Sequence, residues 1–164
     1  VDGSQASYYV RRNVSSSRWV IYVEDGYIGC LGDKDNCLES LSEWPYFSTS
    51  DDEYHPLNVE ATTIFSDDPV VSPWPGYNYM YINYCSQDGW LGRSESLVHG
   101  VYVRGSSILK AALSEALNDT NRIGADLVVV GSGAGALGVF NHQEWLVNSL
   151  GFNVDQLSIV LDSY

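Results

Sequence analysis

The chain reads as an α/β protein, an α/β-hydrolase-like parallel sheet with helices on both faces. Three observations predict it. Apolar runs rich in β-branched residues alternate with stretches of helical periodicity, as in strand–crossover–strand units. The strand candidates are apolar at successive positions, as strands buried on both faces must be. Finally, Leu127-Val128-Val129-Val130 enters the glycine-dense turn Gly131-Ser132-Gly133-Ala134-Gly135 before a helix-compatible stretch. That is the outline of a nucleophile elbow, a tight strand-to-helix turn that exposes the side chain at its apex.

Trp19 to Val23 reads as a buried strand ending in the turn Glu24-Asp25-Gly26. From Leu31 to Pro75 the chain is an irregular loop region rich in Ser, Asp and Pro, with one helical segment around Cys37 to Leu41. Tyr79 to Tyr84 alternates in the manner of a second strand. Val103, Ile108, Leu109, Ala112, Leu113, Ala116 and Leu117 fit helical spacing, at least from Ser107 onward. Ile123 to Val130 supplies a third strand, Leu137 to Leu150 a second helix and Leu157 to Leu161 a last strand. Ligands of such sheets sit beyond the carboxyl ends of the strands. The site is therefore expected where the turns after Val23 and Val130 meet the loop after Tyr84.

Length and charge narrow the function classes. At 164 residues the chain is expected to be one domain, short for an α/β hydrolase. Eight basic against 21 acidic side chains give a net charge of −13, which argues against nucleic acid and anionic membranes. No apolar run approaches the roughly 18 residues that a membrane span requires. Cys30 and Cys37 have the wrong spacing for a C-x-x-C redox or zinc motif. A local disulfide between them suits an extracellular protein, and Cys85 is left without a partner in this chain. Asn13-Val14-Ser15 and Asn118-Asp119-Thr120 are glycosylation sequons. With the cysteines they point to secretion, and no signal segment opens the chain, so residue 1 is expected to follow a cleavage site.

The chain resembles the pectin acetylesterase family, whose animal branch is the Notum-type carboxylesterase. Asp2-Gly3-Ser4 and Tyr8-Tyr9-Val10-Arg11 are similar to that family's D-G-S/T…Y-Y-x-R opening, and Trp19 to Glu24 to its W-x-I-x-L-E strand. Cys30 and Cys37 match its paired cysteines. The segment from Tyr84 to Gly92 resembles Y-C-S/D-x-x-x-W/F-x-G, and Val103-Arg104-Gly105 resembles F-R-G. Gly131 to Gly135 resembles G-[CS]-S-A-G, and Asp162-Ser163 resembles A-D-S-G. The resemblance covers essentially the whole chain, residues 1–164, as the N-terminal portion of one domain whose C-terminal half is absent. It implies serine esterase chemistry: Ser activated by His, His oriented by Asp, and backbone N–H groups holding the oxyanion. Plant and bacterial members deacetylate pectin, whereas the Notum branch removes a fatty acyl group from a signalling protein.

Departures from the family pattern matter more than matches. The nucleophile position is Gly133, which has no side chain to attack an ester. Ser132 is a poor substitute, because the register that would place it at the apex puts β-branched Val130 where the turn needs a small residue. The family's E-G-G-G/W oxyanion turn reads here Glu24-Asp25-Gly26-Tyr27, so only Gly26 survives, with Ala134 as the second expected N–H donor. The acid and base of the family lie downstream of Tyr164. His55, His99 and His142 are expected to be surface or packing residues.

Other motifs carry less. Gly131-x-Gly133 opens like a dinucleotide loop, but the only acidic residue at about the right distance is Asp155, in a loop. Asp51-Asp52-Glu53 and Asp67-Asp68 lack the alternating ligands of a calcium loop, so no metal and no cofactor is expected. The last strand is expected to be covered by the C-terminal half of the protein or by a partner chain; a glycan and a second copy are further candidate partners. These readings together imply a secreted, catalytically inactive relative with a binding or structural role in an extracellular assembly or on glycan. The alternative is a serine carboxylesterase acting on acetylated polysaccharide or acylated protein, represented by a fragment or a nucleophile variant.

Overall fold

Buried β-branched residues set the centre of the sheet. In this computed structural model, which describes residues 1–43, 60, 62–118, 126–149 and 156–162, five strands form one sheet. They are β1 (Tyr8–Arg11), β2 (Trp19–Val23), β3 (Asn78–Ile82), β4 (Leu127–Ser132) and β5 (Leu157–Asp162), in the order β1-β3-β2-β4-β5. Ile21 and Val129 lie opposite each other in the parallel β2–β4 pair and have no exposed surface. β3 and β5 also run parallel to their neighbours, and β1 pairs antiparallel with β3 at one edge. β1 is missed by periodicity because its residues are only half-buried, and its polar Arg11 is paired with Asp67 at 3.1 Å.

Both long helices, α2 (Gly105–Asn118) and α3 (Ala134–Ser149), cover one face. Leu109, Leu113, Val139 and Leu146 pack there against Trp19, Ile21, Met80, Ile82, Leu127 and Val129. Strand order and handedness explain why. The chain steps from β2 to β3 in one direction, then from β3 to β4 and from β4 to β5 in the other. Right-handed crossovers therefore place α2 and α3 together and send the β2–β3 connection across the opposite face. That connection holds helix α1 (Lys34–Glu43) and a 3-10 turn at Thr63–Phe65. Phe65, Trp74 and Tyr77 pack on Val20, Tyr79, Val128 and Val130, so among the described residues this second face has no long helix.

Helix α1 is longer than the segment expected at Cys37 to Leu41, and it begins behind Asp33, whose side chain accepts the Asn36 N–H at 3.0 Å. α2 and α3 begin two and three residues earlier than expected, since a glycine and an alanine at their first turns carry no periodic signal. β4 starts at Leu127; residues 123–125, expected as its beginning, lie outside the described residues. No helix among the described residues is long and apolar enough to cross a membrane.

Ile21→Ala should cost about 2–5 kcal/mol of stability, the range for deleting a large aliphatic from a packed core. Urea unfolding checks this, and a loss under 1 kcal/mol would mean that β2 is not at the centre of the core.

Candidate functional site

β2 is where the strand order reverses direction, and crevices at such switch points are the usual ligand sites of open parallel sheets. Three loops meet at its carboxyl end. Glu24 follows the strand and ties it to β3: its Oε1 accepts the Tyr81 hydroxyl and its Oε2 the Tyr84 N–H, both at 2.6 Å. Burial and the adjacent Glu24 carboxylate push the Tyr81 phenol well above the usual tyrosine range, so it stays a donor.

The loop after β3 is organised by Asp88, which has no exposure. Its Oδ1 accepts the Ser86 hydroxyl at 2.6 Å and the Trp90 N–H at 3.0 Å. Its Oδ2 accepts the N–H of Gly92 at 3.0 Å and of Gly105 at 2.7 Å, so the loop and the start of α2 hang on one carboxylate. Trp90, held at φ +64, donates from its indole to the Glu24 carbonyl at 3.0 Å. Its side chain lies over α3 at Gly138, where an added Cβ would meet Trp90 Cβ at 2.5 Å.

The elbow completes the site. Gly133 turns the chain from β4 into α3 at φ +48; its N–H donates to the Asp162 carbonyl, and its carbonyl accepts the Leu137 N–H. Gly131 and Gly135 let the turn close, because a Cβ on Gly131 would meet the Gly135 carbonyl at 2.5 Å and one on Gly135 would overlap the Val23 carbonyl. The two N–H groups expected as the oxyanion hole do converge. Gly26 and Ala134 both donate to Oδ1 of Asp25, each at 2.7 Å. A Cβ added to Gly133 would overlap Oδ1, Cγ and Oδ2 of that same carboxylate. A side chain of this protein therefore sits on the donors and in the room that a nucleophile would need.

Ser132 lies at the end of β4, half-buried and next to the Tyr22 phenol, whose pKa burial raises and Ser132 lowers. His142 is buried on α3. Its Nδ1 donates to the Gly138 carbonyl at 2.7 Å, which leaves Nε2 to accept the Ser106 hydroxyl at 2.7 Å. This serine–histidine pair has hydrogen-bonding geometry but no access, since Ser106 is wholly buried. It joins α2 to α3. Burial holds the His142 pKa below the ordinary histidine value, against the raising effect of the Gly138 bond. His99 is half-buried in a loop at φ +55, and His55 lies outside the described residues.

Cys30 and Cys37 form a disulfide that packs on Val103, and Cys85 is a buried free thiol that burial pushes up to about 11. Asn13 donates from Nδ2 to the Gly76 carbonyl at 2.7 Å, and Asn118 is the last residue of α2. Asp67 pairs with Arg11, and Asp68 accepts the Val70 N–H at 2.9 Å. Among the described residues, no cluster of three or more metal-ligating side chains exists. Residues 51–53, 119, 120 and 155 lie outside those described.

Sheet order, elbow and converging donors define a domain of the α/β-hydrolase type. The profile of the Pectinacetylesterase family matches residues 1–163, and the chain belongs to that family. It is similar to palmitoleoyl-protein carboxylesterase NOTUM of Mus musculus, with 31% identity over 176 residues, 99% of this chain and 32% of the relative. Notum1a of Danio rerio is 31% identical over 172 residues, 98% of this chain and 30% of that protein. The solved structure of the Wnt deacylase Notum from Drosophila superposes with a TM-score of 0.79 at 26% identity, covering 98% of this chain and 47% of that one. The chain thus spans about a third of the length of these curated relatives.

Sequence reasoning missed the parts played by Asp25, Glu24, Asp88 and Ser106. For Asp88 a signal existed: in Ser86-Gln87-Asp88-Gly89-Trp90 an aspartate precedes glycine, the composition of a turn whose side chain captures backbone N–H groups. For Asp25 the signal was its place in a turn that the family fills with glycine.

Asp88→Asn replaces acceptor capacity by an NH2 group facing backbone donors, and should lower stability by about 3 kcal/mol in urea titrations. The wild-type value retained would show the four bonds to be dispensable. His142 is a buried acid-sensitive group. Its folded pKa lies below its unfolded one, so the unfolded chain binds the proton first, and the stability it contributes is present above about pH 6.5 and lost as pH falls below that. Melting temperatures across that window should fall less steeply in His142→Gln than in wild type, and equal slopes would refute the assignment.

Proposed function

We propose that this chain is part of a secreted protein that keeps the pectinacetylesterase scaffold without hydrolysing esters, and that acts outside the cell as a binding or structural component. One observation carries the reading. The apex of the elbow has no nucleophile, and the Asp25 carboxylate occupies both the donors and the space at Gly133. An ester carbonyl approaching there meets a negative charge where an oxyanion would have to form, which raises rather than lowers the barrier. The Cys30–Cys37 disulfide and the Asn13 sequon support an oxidising, secretory setting. The net charge of −13 favours neutral or cationic partners, such as an uncharged glycan or a basic protein surface, over polyanions.

The second reading, a serine carboxylesterase whose nucleophile has been exchanged, is favoured by the elbow backbone, which keeps its positive φ at Gly133. Aryl acetate and longer acyl ester assays on the full-length protein carrying Gly133→Ser separate the two, since an esterase that lacks only its nucleophile regains turnover there. The proposal expects no turnover above the buffer rate and no labelling by a fluorophosphonate. Turnover by that variant or by the unaltered protein would overturn it.

A further inference from the structure

Asp25 and Gly133 stand in a reciprocal relation to the family pattern. In the resembling motifs the position of Asp25 is glycine and the position of Gly133 is serine, so one wall of the pocket has gained a side chain and the other has lost one. Three contacts make the exchange physical. The Asp25 carboxylate accepts the Ala134 N–H at 2.7 Å, across 109 residues of chain, and the Gly26 N–H at 2.7 Å. Ala134 is the first residue of α3, so its N–H has no partner within the helix, and a carboxylate there also meets the positive end of the helix dipole. Any Cβ at 133 would overlap the carboxylate.

We infer that Asp25 is a built-in plug of the elbow: it mimics the oxyanion, closes the N–H pair to outside carbonyls and carboxylates, and is tolerated only because residue 133 is glycine. The inference deepens the proposal of a non-hydrolytic protein and rests on it for its meaning, though its test does not depend on it. Restoring serine at 133 alone does not reopen the pocket, because the hydroxymethyl group and the carboxylate compete for one space. Removing Asp25 alone leaves two converging N–H donors facing a carboxylate-sized space. An ordinary surface aspartate that merely caps α3 has neither property, since its loss would weaken the helix start irrespective of residue 133.

A four-cornered cycle in the full-length protein distinguishes these cases, with wild type, Gly133→Ser, Asp25→Gly and the double variant. Serine at φ +48 carries backbone strain in both backgrounds, and the cycle cancels it, leaving the overlap with Asp25. Gly133→Ser should lower the melting temperature by several degrees with Asp25 present and by clearly less in Asp25→Gly. Additive shifts would overturn the plug. Acetate is the second probe, read through the amide resonances of Gly26 and Ala134 in protein labelled with 15N-glycine and 15N-alanine. In Asp25→Gly those two resonances should move saturably with acetate and the melting temperature should rise. In wild type and in Asp25→Asn, whose carboxamide oxygen keeps the seat, neither should respond. Equal acetate shifts in wild type and Asp25→Gly, or none in Asp25→Gly, would also overturn the inference. Ester turnover by wild type would sink the non-hydrolytic reading while leaving the cycle and the acetate result to judge the plug by themselves.

Discussion

Four hydrogen-bond donors converge on the Asp88 carboxylate, which has no contact with solvent. A buried carboxylate is costly unless fully bonded, and full bonding here fixes the backbone of Ser86 to Gly92 and the first residue of α2. That backbone sets Trp90 in a left-handed conformation, from which its ring spans to Gly138 of α3 and its indole N–H to the Glu24 carbonyl. Glu24 then spends its own carboxylate on Tyr81 and Tyr84. Asp25 follows directly, at the height of Ala134. The position of the plug over the elbow is thus the end of a chain of contacts that starts at Asp88.

The sheet supplies the frame for those contacts. Because crossovers are right-handed, reversing the stepping direction at β2 puts helices on one face and the long β2–β3 connection on the other. The same reversal brings the loop of Asp88 and the elbow together at the carboxyl end of β2, where ligands of open parallel sheets usually sit. The glycines at 131, 135 and 138 let α3 approach that end closely, and none of them could carry a side chain without moving a neighbour.

At the elbow the N–H groups of Gly26 and Ala134 converge on one acceptor, Oδ1 of Asp25. The scaffold around it is undisturbed: register across β2–β4–β5 is continuous up to Gly131 and Ser132, and the elbow still donates to Asp162. The packing that builds the elbow depends on its glycines, Gly133 at the apex included, and on the buried aliphatics around it.

By itself the sequence determined β2, β4 and the middle turns of α2 and α3, whose periodicity records burial directly, and it placed β5 by its apolar run although most of that strand is exposed. It determined equally that Gly133 has no nucleophile and that the turns after Val23 and Val130 belong to one site. Only the tertiary structure decided which face the helices share, that half-buried Tyr8 to Arg11 forms an edge strand, and that His142 is paired with Ser106. It alone decided that the Asp25 carboxylate reaches Ala134, 109 positions along the chain. Local pattern reports how much water a residue avoids; it carries no record of which distant donor a polar side chain meets. That meeting is set by strand order and by the close approach that small residues allow.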